Sequence, residues 1–255
     1  MAKYDSVHIS KGVLLGMGVS GIVEKPLDSA YVIKTPCPGE DYDQCRKDLD
    51  LERRVYELLG NHPRLLKFYG QDEGDGSIKL EYALNGTLRD YIAEHQPSMD
   101  ERLRFATEIT EGLAVLHESG VVHCDLSPRN VLVDAEIGLR IADFSSASID
   151  GSPSSAGGSV RFQIPRNNPW KPTYQDDIFS LGSTLFEVMT SAGPYDGLES
   201  SMVIERFRSK QFPDSKGVIL GDIIQKCWNL HYSSLSDVLP ALQKAVDLGD
   251  QNQST

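Results

Sequence analysis

Cysteine is scarce: the 255-residue chain has four, Cys37, Cys45, Cys124 and Cys227, and no two stand in C-x-x-C spacing. That argues against a zinc knuckle and a disulfide framework and leaves reduced, packed thiols as the expectation. Basic residues are also in deficit, with 25 Lys and Arg against 37 Asp and Glu, for a formal net charge of -12. Surfaces built for nucleic acid or for acidic membranes need a basic stripe. Neither partner is expected, and any phosphate chemistry has to be confined to a local site. No apolar run approaches the roughly 20 residues that span a bilayer, and "MAKYDSVHISKG" lacks the apolar core of a secretory leader. A cytoplasmic or nuclear soluble protein is the expectation. Internal repeats are absent. Disorder is not expected, because hydrophobic residues make up 40% of the chain and charged residues 24%, an ordinary globular balance.

The chain divides near residue 83. Before it, "GVLLGMGVSGIVEK" and "AYVIK" are short, β-branched runs broken by glycine and "PLD", which predict a series of hairpins. "DLDLERRVYELL", Asp48 to Leu59, carries Leu51, Val55, Leu58 and Leu59 at helical spacing, and Gly60 supplies a stop. "RLLKFYG" and "SIKLEYAL" then predict two further strands around a turn-rich "QDEGDG". Beyond the division the pattern turns helical. A long helix follows Ser98, whose spacing to Glu101 is that of a capping box. A second long helix is expected in "QDDIFSLGSTLFEVMTS", and shorter ones near 199–208, 219–229 and 234–246. "SIDGSPSSAGGS" reads as a mobile loop and the final residues as a frayed polar tail.

Four local patterns carry chemistry. "GMGVSGIV" is G-x-G-x-x-G-x-V, where glycine allows backbone amides to approach a polyphosphate. Alone it is a weak signal, but the missing G-K-[ST] excludes a P-loop and the strand-turn-strand setting disfavours a dinucleotide fold. Lys34 ends "YVIK", where its stem packs and its ammonium turns inward. Glu52, in the small half's helix, is placed to neutralise it. "VVHCDLSPRNVLVD" reads as two apolar arms around a polar loop, a hairpin that projects Asp125 and Asn130 to one side, and "LRIADFSS" ends another strand at Asp143. One carboxylate and one amide suffice for magnesium, which keeps waters and substrate phosphates in its shell. Asp125 is then left to accept a hydroxyl proton.

In this order the segments resemble a eukaryotic protein kinase domain. The resemblance implies an α+β, bilobal fold, with a small antiparallel β lobe holding one helix (about 1–82), a larger, mainly helical lobe (about 84–246) and a polar tail (247–255), all one domain. It implies ATP and magnesium (Mg2+) as cofactors, with Asp125 as catalytic base, Lys34 and Glu52 fixing the nucleotide, and Asn130 and Asp143 as metal ligands. Gly16, Met17, Gly18, Gly21, Val23, Val32 and Leu132 would enclose the nucleotide. Leu80 would stand at the gatekeeper position, with the backbones of Glu81 and Ala83 facing adenine. "DIFSLG", opening at Asp177, resembles D-x-W-x-x-G.

The departures bear on control and specificity. Cys124 replaces the arginine that pairs with a phosphorylated activation loop, so such control is not expected. Ser127 replaces the lysine that meets the γ-phosphate, which makes Arg129 the candidate cation. Ser145 stands in D-F-S where D-F-G is usual and stiffens that turn. Arg166, in "IPR", reverses the charge of A-P-E. Transfer to a serine or threonine of an unidentified protein substrate, by a monomer, is the leading expectation. The alternatives are a pseudokinase that binds nucleotide or partners without catalysis, and a small-molecule kinase.

Overall fold

The computed structural model describes residues 9–72, 74–155, 157–165 and 171–253, with side chains to residue 247. Arg166 lies outside the described residues. The short apolar runs form strands β1 (Val13–Met17), β2 (Gly21–Lys25), β3 (Tyr31–Pro36), β4 (Phe68–Gln71) and β5 (Ile78–Glu81). They make one antiparallel sheet in the order β1-β2-β3-β5-β4. Helix α1 (Tyr42–Leu59) packs on β3 and β4. It begins six residues before the expected Asp48, because Cys45 opens a buried stripe that continues through Leu49, Glu52, Val55 and Tyr56. A polar helix start with one cysteine as its apolar anchor carries little hydrophobic periodicity. The stop is where glycine set it: Gly60, at φ 64°, donates its amide to the Tyr56 carbonyl at 2.9 Å.

The larger lobe contains α2 (Leu88–His95), α3 (Met99–Glu118), α4 (Tyr174–Thr190), α5 (Ser200–Arg208), α6 (Gly221–Trp228) and α7 (Leu235–Gln253). Helix α3 starts at the expected capping box, the Glu101 carboxylate accepting from the Ser98 amide at 2.8 Å. Helix α2 is absent from the sequence reading; it is short, and its Thr87 cap falls in what otherwise reads as a turn. The polar end expected as a frayed tail continues α7 as far as Gln253. Among the described residues, no helix is long and apolar enough to cross a membrane.

Four short strands lie where the lobes meet: β6 (Val121–Val122), β7 (Val131–Val133), β8 (Leu139–Ile141) and β9 (Ser148–Ile149). The expected hairpin between the two arms of "VVHCDLSPRNVLVD" does not form. Instead β6 pairs with β9 and β7 with β8, giving two separate two-stranded sheets. Locality explains the choice: Asp134 Oδ1 accepts from the amides of Glu136 at 3.0 Å and Gly138 at 2.7 Å, closing a tight β7–β8 turn. The serine-rich stretch is also more fixed than expected. It opens as β9, with the Ser148 hydroxyl donating to the Ser152 carbonyl and that of Ser154 to Ser146, each at 2.6 Å.

Helix α4 is the axis of the large lobe, buried from Asp177 to Met189 and packed on α3 and α6. Gly182 sets its approach to α6: a Cβ there would lie 2.8 Å from that of Cys227 and 3.3 Å from the Ile224 carbonyl oxygen. Beside it, Trp228 Nε1 donates to Ser183 Oγ at 2.9 Å. Gly182→Val is expected to destabilise by about 1–3 kcal/mol through overpacking. Thermal melting should register this as a loss of about 2–4 °C per kcal/mol. Gly193→Ala, whose Cβ would meet nothing nearer than 3.4 Å, should melt close to the unmodified protein.

Candidate active site

A cleft of about 410 Å³ opens between the five-stranded sheet and the large lobe. Gly16, Gly18, Gly21 and Val23 of the β1–β2 turn form its roof, with Val32 and Lys34 of β3. Glu52 and Leu80 stand toward the back, Glu81 and Ala83 at the connecting strand, and Arg129, Asn130, Leu132 and Asp143 along the floor. The cleft thus gathers most of the residues that the sequence singles out. Met17 is an exception: it is 68% exposed and does not line the cleft. A bulge between Leu14 and Gly16 interrupts strict alternation in β1, and Leu15 lines the cleft instead. Ser20, Leu66, Thr87 and Asp90 also line it. Sequence reading missed them because none belongs to a recognisable spacing.

The connecting strand offers a specific edge. The Glu81 amide is already given to the Lys67 carbonyl at 2.8 Å. The Ala83 amide has no partner among the described residues and remains a free donor at this edge, where Glu81 can offer only its carbonyl.

Lys34 holds the cleft's charge. Its ammonium lies 2.6 Å from Glu52 Oε2 and 2.9 Å from Asp143 Oδ1, which links β3 to α1 and to the large lobe. Burial disfavours the ammonium, but Asp143 and Glu52 outweigh it and hold the lysine above its ordinary pKa. Burial opposes ionisation of Asp143 as well, yet Lys34 and the Ser145 hydroxyl bring it down to about 2. Glu52, fully buried, is pushed up to about 7 by desolvation, with Lys34 working against the rise. The Asp143 side chain keeps 41% of its exposure, so its carboxylate also reaches the open cleft.

Asp125 lies beside this group rather than in the cleft wall. Asn130 Nδ2 donates to its carbonyl at 2.7 Å and to its Oδ2 at 3.0 Å. Burial raises its pKa, while His123 and Asn130 oppose the rise. The loop that carries it hangs from Asp177 at the start of α4. Oδ2 of Asp177 accepts from the His123 amide at 2.7 Å, and Oδ1 accepts from the Cys124 amide at 3.0 Å. Cys124 is thereby held at φ 70° and Asp143 stands at φ 63°, both strained for non-glycine residues. The sequence marks Asp177 as opening a helix, but its role as a support is visible only in space.

The departures have structural counterparts. The Ser145 hydroxyl donates to Asp143 Oδ1 at 2.7 Å, and Ser145 is absent from the positive-φ residues. Serine therefore adds a restraint here without backbone strain. Cys124 packs against Ser148 and Ser154, so neutral contacts hold the serine-rich segment where an arginine would need an anion. Ser127 is buried, whereas Arg129 is exposed at the cleft floor. Aromatic rings continue the link between lobes: Phe144 meets Tyr56 edge-on at 4.9 Å and His123 at 5.5 Å, and Tyr56 stacks on Phe68 at 5.6 Å.

The family model for the protein kinase domain matches residues 9–239. The serine/threonine/tyrosine-protein kinase HT1 of Arabidopsis thaliana is 29% identical over 245 residues, 88% of this chain and 62% of its own length. Human receptor-interacting serine/threonine-protein kinase 1 is 28% identical over 248 residues, 88% of this chain and 36% of its own. Human NUAK family SNF1-like kinase 1 is 27% identical over 228 residues, 80% of this chain and 34% of its own. The chain therefore spans from about a third to three-fifths of the length of these relatives.

Glu52 supplies a test of the buried charge cluster. In Lys34→Met the offset to desolvation is lost and the Glu52 pKa rises beyond about 7. A raised carboxyl contributes stability that is full below its unfolded pKa and lost as pH climbs through the folded one. The melting-temperature gap between Lys34→Met and the unmodified protein should therefore widen from about pH 7 to about pH 9. Adding Glu52→Gln should abolish the widening. A constant gap in the single variant would show that Glu52 is not buried against the lysine.

Proposed function

Because the chain belongs to the protein kinase family, we propose that it is an ATP- and magnesium-dependent kinase transferring the γ-phosphoryl group to a protein hydroxyl, serine or threonine first. The observation that carries this reading is the Lys34 ammonium fixed between Glu52 at 2.6 Å and Asp143 at 2.9 Å. A lysine used only for packing has no need of two carboxylates, whereas one that grips phosphate oxygens has to be held still. Lys34 orients the triphosphate, and the unspent Ala83 amide meets the base. Asp125 accepts the proton of the attacking hydroxyl, with Asn130 fixing its carboxylate. Arg129 supplies the positive charge that Ser127 cannot.

Asp143 and the amide oxygen of Asn130 would hold the metal. Among the described residues, no group of three His, Cys, Asp or Glu is arranged to cage an ion. One half-exposed carboxylate and one amide instead suit a cation that keeps waters and phosphates in its shell. When bound, magnesium neutralises the charge of the phosphates.

A second reading, a nucleotide-binding scaffold without transfer, is favoured by one observation. Gly158 packs so closely on the loop that a Cβ there would lie 2.8 Å from Asp125 Oδ1. Backbone thus stands where an acceptor hydroxyl has to enter. Two measurements separate the readings. ATP with magnesium should raise the melting temperature by several degrees, more than ATP with a chelator, since binding to the folded state alone stabilises it by mass action. Asp125→Asn, which keeps an acceptor for Asn130 but cannot take a proton, should retain that shift and lose about 10²–10⁴-fold in peptide phosphorylation. Equal phosphorylation by the variant would remove Asp125 as the base, and its absence in both proteins would favour the scaffold.

A further inference from the structure

The two cysteines of the small lobe meet beneath the tip of the glycine-rich turn. Cys37 follows β3 and is half-buried, and Cys45 lies in the first turns of α1 and is 3% exposed. Cys37 Sγ donates to the Gly18 carbonyl at 3.4 Å, and Cys45 Sγ to the adjoining Val19 carbonyl at 3.4 Å. The two thiols are close enough for each to bear on the other's ionisation. Two thiols reaching consecutive carbonyls of one exposed turn are an unusual use of scarce cysteine. Val19 itself is 93% exposed, so packing does little to hold this tip down.

We propose that Cys37 and Cys45 are a modification site, a dithiol that a low-molecular-weight disulfide such as oxidised glutathione converts to a Cys37–Cys45 disulfide. The thiolate of half-exposed Cys37 attacks one sulfur of the reagent and expels one glutathione thiolate. Cys45, having lost its proton to solvent, then attacks Sγ of Cys37 and expels the second. Two protein thiols and one external disulfide become one protein disulfide and two glutathione thiols. Burial first, and the neighbouring Cys45 next, push the Cys37 thiol up, against Lys34. Resting Cys37 is therefore protonated, the form that donates to the Gly18 carbonyl.

Oxidation removes both S–H donors at once and leaves the Gly18 and Val19 carbonyls unpaired, which frees the turn that roofs the cleft. The new bond also ties β3 to α1, the elements already joined by Lys34 and Glu52, because Glu52 lies about two helical turns beyond Cys45. The charge cluster is retained while the roof is released. Nucleotide affinity should fall without loss of fold.

This effect rests on the proposed nucleotide site, so the test reads linkage and affinity separately. The full chain is incubated with oxidised or reduced glutathione, digested without reductant and analysed by mass spectrometry, and ATP affinity is measured by equilibrium binding. The expected result is a peptide pair linked through Cys37 and Cys45, roughly fivefold weaker ATP binding, and reversal of both by dithiothreitol. Cys37→Ser, at the more exposed position, should yield no linked pair and no change in affinity on oxidation. Glutathione adducts without linkage, or a linked protein that binds ATP as the reduced one does, would overturn the proposal. ATP binding by the reduced protein tests the nucleotide site alone.

Discussion

One buried ammonium ties the architecture together. Lys34 comes from the centre of the small sheet, Glu52 from the helix packed on it and Asp143 from the far lobe, yet their charged atoms lie within 2.9 Å of the lysine. Removing such charges from water is expensive, and only mutual compensation makes their burial tolerable. The arrangement is therefore cooperative. A shift of α1 away from the sheet would part Glu52 from the ammonium and leave Lys34 paired with Asp143 alone, so the helix position and the electrostatics of the cleft are one variable.

The large lobe solves a different problem, holding a loop that contains strained backbone. Asp177 accepts two amides from that loop, and its own position is secured by a helix that is buried from Asp177 to Met189. Rigidity thus passes from the core of the lobe to the loop that carries Asp125 through two hydrogen bonds. Asn130 extends it to Asp125, and its carbonyl accepts from the Ala142 amide at 2.9 Å, next to Asp143. Asp125, Asn130 and Asp143 sit outside the regular elements, but none depends on its loop alone for its place.

Much of this was legible wherever a residue type has one local use. Gly60 ends α1, and Ser98 with Glu101 begins α3, because caps act within a turn. Lys34, Glu52, Asp125, Asn130 and Asp143 were recognisable by their order along the chain, and the fold brings them together. What escaped depends on competition between distant segments. The arms of "VVHCDLSPRNVLVD" look made for each other until β8 and β9 are available as partners. Met17 belongs to the glycine motif, yet a bulge turns its side chain to solvent. Helix α2 is too short for its periodicity to stand out, and Asp177 reveals its function only through the backbone amides it meets.

The rings of Phe68, Tyr56, Phe144 and His123 form a column from the sheet through α1 to the loop that carries Asp125. Close-packed rings have few intermediate arrangements, since withdrawing one leaves a void that its neighbours fill only by moving themselves. A pull on α1 would therefore reach His123 through Phe144 as a discrete jump. Any ligand or contact that grips the outer face of that helix acts on a toggle rather than a dial.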